Sequence, residues 1–400
     1  MEKLDQLLKD HVVVGTETSN KVLGAAFHAV NKDGVIYSGS AGRAGMELES
    51  APFTADSFTW LASCSKIITA ACLMQLVERQ MIGLDDDTRQ FVPELAGLQL
   101  LRGFDDDGKP VLEDNDKPIT LRQLLTHTSG LGYDILDPRL QKWCSATGHT
   151  ATNSDQTLDG WTTPLVFPPG DDSGWAYSSG LDWAGQVLEK VTGQGLEDYM
   201  QENIFRPLDM KSATFYPQRL KDTYSAVPCS YRTPAVQGFG LTMGPLPIPE
   251  DPPIEGGGSG LHSTARDFGK FLQAILRSHS SEDALDGKRI LGKETVQEMF
   301  RPQLSPSQCQ ALKLITSGML PLPLDTPINH GISGVINAEH VPGKRGKGSM
   351  MWGGFSNAHW WIDPEAGIAG TLFTNVIPQP DPVVQKLYDL IEPVVYSGLL

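Results

Sequence analysis

Residues Ile67 to Ile82 form an apolar run that includes Ile67, Ile68, Ala70, Ala71, Cys72, Leu73, Met74, Leu76 and Val77, with no charge before Glu78 and Arg79. A stretch this long and this uniformly apolar does not fit a half-wet surface helix. It predicts a helix buried on most sides, and so a chain that builds its core around it. The 400 residues are enough for such a core, in one large domain or two interleaved ones.

The segment leading into the run is Trp60-Leu61-Ala62-Ser63-Cys64-Ser65-Lys66. Ser63 falls at the first turn of the expected helix, and Lys66 three residues on shares its face. A serine hydroxyl is a weak nucleophile until a neighbouring base takes its proton. Burial and a positive helix N-terminus both disfavour a charged amine, so a lysine held there can be that base. The same N-terminus offers backbone N–H groups to a developing oxyanion. Ser-x-x-Lys arises by chance in many chains. Here it opens the most apolar helix of the sequence, where a lysine has no packing reason to stand. Cys64 beside it reads as a small buried hydrophobe.

Composition narrows the function. The formal net charge of −16, with no offsetting basic stripe, would repel nucleic acid and anionic membrane surfaces. No apolar segment has the length of a membrane span. The first ten residues read as an amphipathic helix without the apolar core of a signal peptide, so a cytoplasmic protein is expected. Five widely spaced cysteines, with no Cys-x-x-Cys, argue against a disulfide framework or a zinc site. No metal and no cofactor are implied. The patterns of α/β-hydrolases, dinucleotide enzymes and P-loop enzymes are absent.

Along the chain, residues 1–20 predict an opening helix, and 22–30 with 35–39 a hairpin around Asn31-Lys32-Asp33-Gly34. Residues 103–118 predict an exposed acidic hairpin. Residues 119–131 predict a helix with Thr120 as N-cap and Gly130 as stop, and His127 is expected to fix the following loop through hydrogen bonds. Tyr177 lies on a loop at the entrance of a helix over 181–192, where a phenol beside a cation can relay protons. Residues 232–258, rich in proline and ending in Gly256-Gly257-Gly258, predict a long irregular wall or lid. Strands return at 331–336, 347–352, 359–363 and 367–374, before a final helix over 382–396. Strands at both ends with helices between predict an α+β fold. Its antiparallel sheet domain is expected from residues 1–95 and 260–400, with a mostly helical insertion over 96–259 and the site at the junction.

Three ordered motifs then carry a resemblance: Ser63-x-x-Lys66, Tyr177-Ser178-Ser179 and Trp352-Gly353-Gly354. The chain resembles the serine β-lactamase-like superfamily, in the fold of class C β-lactamases and family VIII carboxylesterases. It is similar above all to the fungal acyltransferases of the lovastatin pathway. The blocks Leu121–Leu131, Leu181–Gly185, Gln201–Leu208 and Lys347–Gly367 extend the likeness through nearly the whole chain. The resemblance implies Ser63 as the acylated nucleophile and Lys66 and Tyr177 as general base and proton shuttle. It implies the backbone N–H groups of Ser63 and Phe355 as an oxyanion hole. Gly353 and Gly354 let substrate approach the strand closely. Trp352-Gly353-Gly354 stands where β-lactamases carry Lys-Thr-Gly, and Ser179 where they carry Asn. Both departures point from β-lactams toward esters and thioesters.

The expected function is therefore transfer of an acyl group from a small ester or thioester, free or bound to a carrier protein, to an alcohol of a hydrophobic acceptor of the secondary-metabolite kind. Hydrolysis of such esters is the alternative. A non-catalytic binding protein on the same fold is the second, and a peptidase of cell-wall-like substrates the least favoured. Tyr133, Trp352, Phe355 and Trp361 are the expected substrate wall, and Trp361 reads equally well as core.

Overall fold

The computed structural model describes residues 1–235, 238–280 and 289–398. Seven strands form one antiparallel sheet in the order Val35–Gly42, Gly24–Asn31, Ile368–Phe373, His359–Asp363, Met350–Gly353, Val335–Asn337, Ile328–His330. The first hairpin closes as expected: the Asn31 side chain accepts from the N–H groups of Asp33 and Gly34, each at 2.9 Å.

Successive residues of a strand point to opposite faces, and both faces of this sheet are covered. Phe27 stacks on Trp361 at 5.7 Å, and Trp361 meets Tyr388 of the C-terminal helix Pro382–Gly398. The neighbouring His28 faces the other way, toward helix Ala265–Ser280, where a Cβ on Gly269 would lie 2.4 Å from its imidazole. Coverage on both sides explains why His359–Asp363 and Ile368–Phe373 are buried throughout, without alternation. It also corrects the expectation for Trp361, which is fully buried core and lines no substrate wall.

Every residue of helix Ser65–Glu78 from Ser65 to Leu76 is buried, as its apolar run requires. It packs on helices Gly180–Thr192 and Leu196–Met200. Leu121–Thr126 lies so close to Gly180 that a Cβ there would meet the Leu124 carbonyl at 2.4 Å.

Several boundaries differ from expectation, each for a local reason. The opening helix spans Glu2–His11 and stops at Val12, which pairs with Val22. The helix capped by Thr120 ends at His127, itself left-handed at φ 62°, and not at Gly130. The 331–336 strand is broken by a Gly331–Gly334 turn with Ser333 left-handed at φ 70°. Residues 232–258 are not irregular throughout: Ser230–Ala235 and Gly238–Met243 pair as a hairpin against Val376–Ile377, with Val236 and Gln237 outside the described residues. Helices Pro138–Thr147 and Pro306–Thr316 were not anticipated, although each begins with the N-cap and N1 proline pairs Asp137-Pro138 and Ser305-Pro306. Among the described residues, no helix is long and apolar enough to cross a membrane.

Candidate active site

The segment before the buried helix is held from both sides. Thr59–Trp60 pairs antiparallel with His262–Ser263, and the Leu61 N–H donates to the Leu261 carbonyl at 2.9 Å. Ser65 Oγ donates to the Ala62 carbonyl at 2.7 Å and accepts from the Leu261 N–H at 3.1 Å. Between these anchors, Ala62 takes a left-handed backbone at φ 47°, a strained state for a residue with a Cβ. Ser63 follows in a single 3₁₀ turn over Ala62–Cys64, and the α-helix starts at Ser65. Cys64 points away: it is fully buried, its Sγ donates to the Ala358 carbonyl at 3.4 Å, and burial pushes its thiol pKa up.

Lys66 is buried, and its amine has three partners. Nζ lies 3.1 Å from Ser63 Oγ, 3.0 Å from Tyr133 Oη and 2.7 Å from the Gly258 carbonyl. It also sits over the ring faces of Tyr177, at 4.8 Å, and Tyr133, at 5.3 Å. Behind it, Asp182 is 2% exposed. Its Oδ1 accepts from the Gly258 N–H at 2.8 Å and its Oδ2 from the Tyr133 hydroxyl at 3.4 Å. Burial raises the Asp182 pKa, opposed by the Lys66 charge. Burial, followed by Asp182, raises that of the Tyr133 phenol well above its ordinary value.

The glycine run thus does something other than form a lid. A Cβ on Gly258 would lie 2.5 Å from Asp182 Oδ2, and one on Gly257 would lie 2.7 Å from the Leu181 carbonyl. Only bare backbone fits there, and it presents the Gly258 carbonyl to Lys66 and the Gly257 carbonyl to Thr69 Oγ1 at 2.7 Å.

Ser63 opens into a cleft. Its walls include Trp60, Tyr133, Ile135, Leu136, Tyr177, Ile248, Met319, Leu320, Trp352, Gly353 and Phe355. Asp134 is the one charged side chain among the lining residues. That lining suits an apolar small molecule. Tyr177 is fixed in the wall by other aromatics. Its hydroxyl accepts from Trp352 Nε1–H at 3.1 Å, and its ring meets His127 edge-on at 4.9 Å. His127 Nδ1 lies 3.0 Å from Ser178 Oγ, and burial holds the His127 pKa well below its ordinary value.

Gly354 does not line the cleft. It presses on the Leu61–Ser63 segment, where a Cβ would come within 2.4 Å of the Leu61 carbonyl and 3.3 Å of the Ser63 N. The tight turn from Gly354 to Ala358 leaves the Phe355 N–H with no acceptor among the described residues.

The structure therefore brings Ser63, Lys66, Tyr133, Tyr177, Trp352, Gly353 and Phe355 to one cleft and leaves Trp361 out. Lys66 meets Tyr177 through the ring and Tyr133 through the hydroxyl. Asp182 was missed. The available signal was an acid on the apolar face of a helix, next to a triple glycine that needs a close neighbour. Among the described residues, no group of three or more His, Cys, Asp or Glu is placed to hold a metal.

The chain is similar to known proteins in sequence and in fold. A sequence profile described as Beta-lactamase matches residues 4–391. The chain is 33% identical over 362 residues to a lovastatin esterase of Penicillium rubens, covering 88% of each chain. It is 33% identical over 356 residues to a monacolin J acid methylbutanoyltransferase of Aspergillus terreus, covering 86% of this chain and 83% of the relative. A mutant form of the simvastatin synthase of Aspergillus terreus superposes with a TM-score of 0.85 at 32% identity, over 94% of this chain and 91% of the other.

Proposed function

The chain belongs to the beta-lactamase family, and from that premise we propose that it is a serine acyl-enzyme that moves the acyl group of a hydrophobic ester or thioester to an alcohol. The observation that carries this is Lys66 Nζ at 3.1 Å from Ser63 Oγ on the floor of an apolar cleft.

In the first half-reaction, Ser63 Oγ attacks the carbonyl carbon and its proton passes to the Lys66 amine. The negative charge on the carbonyl oxygen is met by the N–H groups of Ser63 and Phe355. The bond to the leaving oxygen or sulfur breaks, and that atom takes a proton. Tyr177 suits the donor role: Trp352 occupies an acceptor site of its oxygen, so the phenol hydrogen is free to face the cleft. Lys66 then passes the proton it took from Ser63 to Tyr177, so amine and phenol are both reset. In the second half-reaction an acceptor alcohol attacks the acyl-enzyme and loses its proton to the neutral amine. The bond to Ser63 Oγ breaks, and that oxygen takes a proton back by the same route, which restores Ser63.

The walls favour a donor and an acceptor that are both apolar. A substrate carboxylate would meet Asp134 and no cation among the lining residues. The relatives named as transferases support alcohol as acceptor. Hydrolysis is the second reading, supported by the relative named as an esterase and by a cleft that water can enter. A carrier protein as donor, a cytoplasmic location and a sheet domain with residues 96–259 inserted complete the proposal.

The test offers p-nitrophenyl esters and short acyl thioesters to the wild type and Ser63→Ala, with and without added alcohols. Turnover that needs Ser63 supports the reading, and ester product exceeding acid on adding alcohol supports transfer. No turnover with any donor overturns it.

A further inference from the structure

The amine of Lys66 has three neighbours, and their chemistry is unequal. The Gly258 carbonyl only accepts. Ser63 Oγ and Tyr133 Oη can each donate or accept. A neutral amine has two N–H bonds and one lone pair, so one neighbour must give it a hydrogen. If that neighbour is Ser63, the lysine is a base for the nucleophile. If it is Tyr133, the lone pair is occupied and Ser63 has no base.

Asp182 decides between the two. Its Oδ2 takes the phenol hydrogen of Tyr133, which leaves the phenol oxygen as an acceptor toward Lys66. Its Oδ1 takes the Gly258 N–H, which fixes the peptide whose carbonyl accepts the other amine hydrogen. Both alternatives to Ser63 are thereby made acceptors. Resting on the acyl-enzyme reading above, we propose that Asp182 is a positioning residue: it sets the hydrogen-bond direction around Lys66 so that the amine lone pair faces Ser63.

The groups facing the amine are Ser63 and Cys64 on its own segment, Tyr133, Tyr177, His127 and Asp182. Cys64 and His127 are held uncharged by burial, so Asp182 is the neighbouring negative charge. Asp134, near Tyr133, is engaged by the N–H groups of Ile135 and Asn153.

The substitution Asp182→Asn tests this with nearly the same shape. The Gly258 N–H still demands an acceptor, so the new amide oxygen must face it and the NH₂ must face Tyr133. The phenol then receives a hydrogen where it used to give one, and turns its own toward the Lys66 lone pair. The expected result with a p-nitrophenyl ester is a kcat lowered 100-fold or more with KM within threefold. The acid limb of the pH–rate profile should also move to lower pH, because a negative charge near the amine has gone.

A second change separates direction from packing. In Asp182→Asn/Tyr133→Phe the competing hydroxyl is absent, so the double variant should recover at least tenfold in kcat over Asp182→Asn. Tyr133→Phe alone should lose less kcat than Asp182→Asn, since the amine loses an acceptor but keeps its lone pair on Ser63. A loss that worsens in the double variant, or an unmoved acid limb, overturns the proposal. If Asp182→Asn does not fold, Tyr133→Phe decides: a loss as deep as that of Ser63→Ala overturns it, and activity within tenfold supports it. Inactive wild type would instead be a failure of the acyl-enzyme reading.

Discussion

The substitution Gly354→Ala adds one methyl group at the contact between the sheet and the nucleophile segment. Its Cβ would lie 2.4 Å from the Leu61 carbonyl, 3.2 Å from Ala62 Cβ and 3.3 Å from the Ser63 N, against 3.4 Å for an ordinary contact. The oxygen is backbone, pinned by neighbouring hydrogen bonds, so no flexible side chain can give way. Something must move by about 1 Å, either the end of strand Met350–Gly353 or the Leu61–Ser63 backbone. Either movement separates the Ser63 and Phe355 N–H groups from a common oxyanion. Loss of one such donor costs about 10²–10³ in kcat, or about 3–4 kcal/mol of transition-state stabilisation. The overpacking itself costs about 1–3 kcal/mol of stability. Steady-state turnover of p-nitrophenyl butyrate should show the kcat loss with little change in KM, together with a Tm lowered by a few degrees. Gly34→Ala, where a Cβ meets nothing within 4 Å, should leave kcat unchanged. A Gly354→Ala enzyme within fivefold of wild-type kcat would refute the reasoning.

Three further outcomes follow from other parts of the structure. Burial lowers the pKa values of His28, His262, His330 and His359 to about 4 from the ordinary 6.5. Between those values the unfolded chain binds more protons, so stability is present above pH 6.5 and lost as pH falls toward 4, by up to about 1.4 kcal/mol per pH unit for each histidine; thermal melts should fall steeply between pH 7 and 5, and a flat Tm would contradict this. Arg345 is fully buried and paired with Glu392 at 2.7 Å, and neither lines the cleft. Glu392→Gln should therefore cost about 3–5 kcal/mol in chemical denaturation while kcat per folded molecule stays unchanged. Trp352→Phe removes the Nε1–H donor of Tyr177 and should lower kcat about tenfold, with a lower Tm from the space left beside this buried ring; unchanged kcat would remove Trp352 from the account.

The sequence conveyed the sheet and the helix after Ser63 because the strands are short apolar runs bounded by turn residues and the helix is an apolar run too long for a strand. Ile67 to Val77 had no polar face to offer solvent, and the Asn31–Gly34 turn and the Thr120 cap have local signatures. Ser63 and Lys66 stood out by their spacing at the head of the apolar run, and Tyr177 was named by the family resemblance that the three motifs carry. What stayed hidden depends on packing across long separations. Trp361 read equally well as wall or core in the sequence, and strand alternation turns it toward Phe27 and Tyr388. Asp182 is 116 positions from Lys66 and reaches it through Tyr133 and Gly258, contacts no periodicity encodes. Ala62 adopts a left-handed backbone without a glycine to announce it, because the ladder behind it and Gly354 beside it impose the turn.

The central claim is a covalent acyl group on Ser63. Intact-protein mass spectrometry after mixing with a short acyl thioester or p-nitrophenyl ester tests it most directly. The account predicts a mass gain equal to one acyl group, mapped to the peptide carrying Ser63, absent from Ser63→Ala and discharged on adding an acceptor alcohol. Turnover with the adduct on another residue, or undiminished turnover by Ser63→Ala, would contradict it.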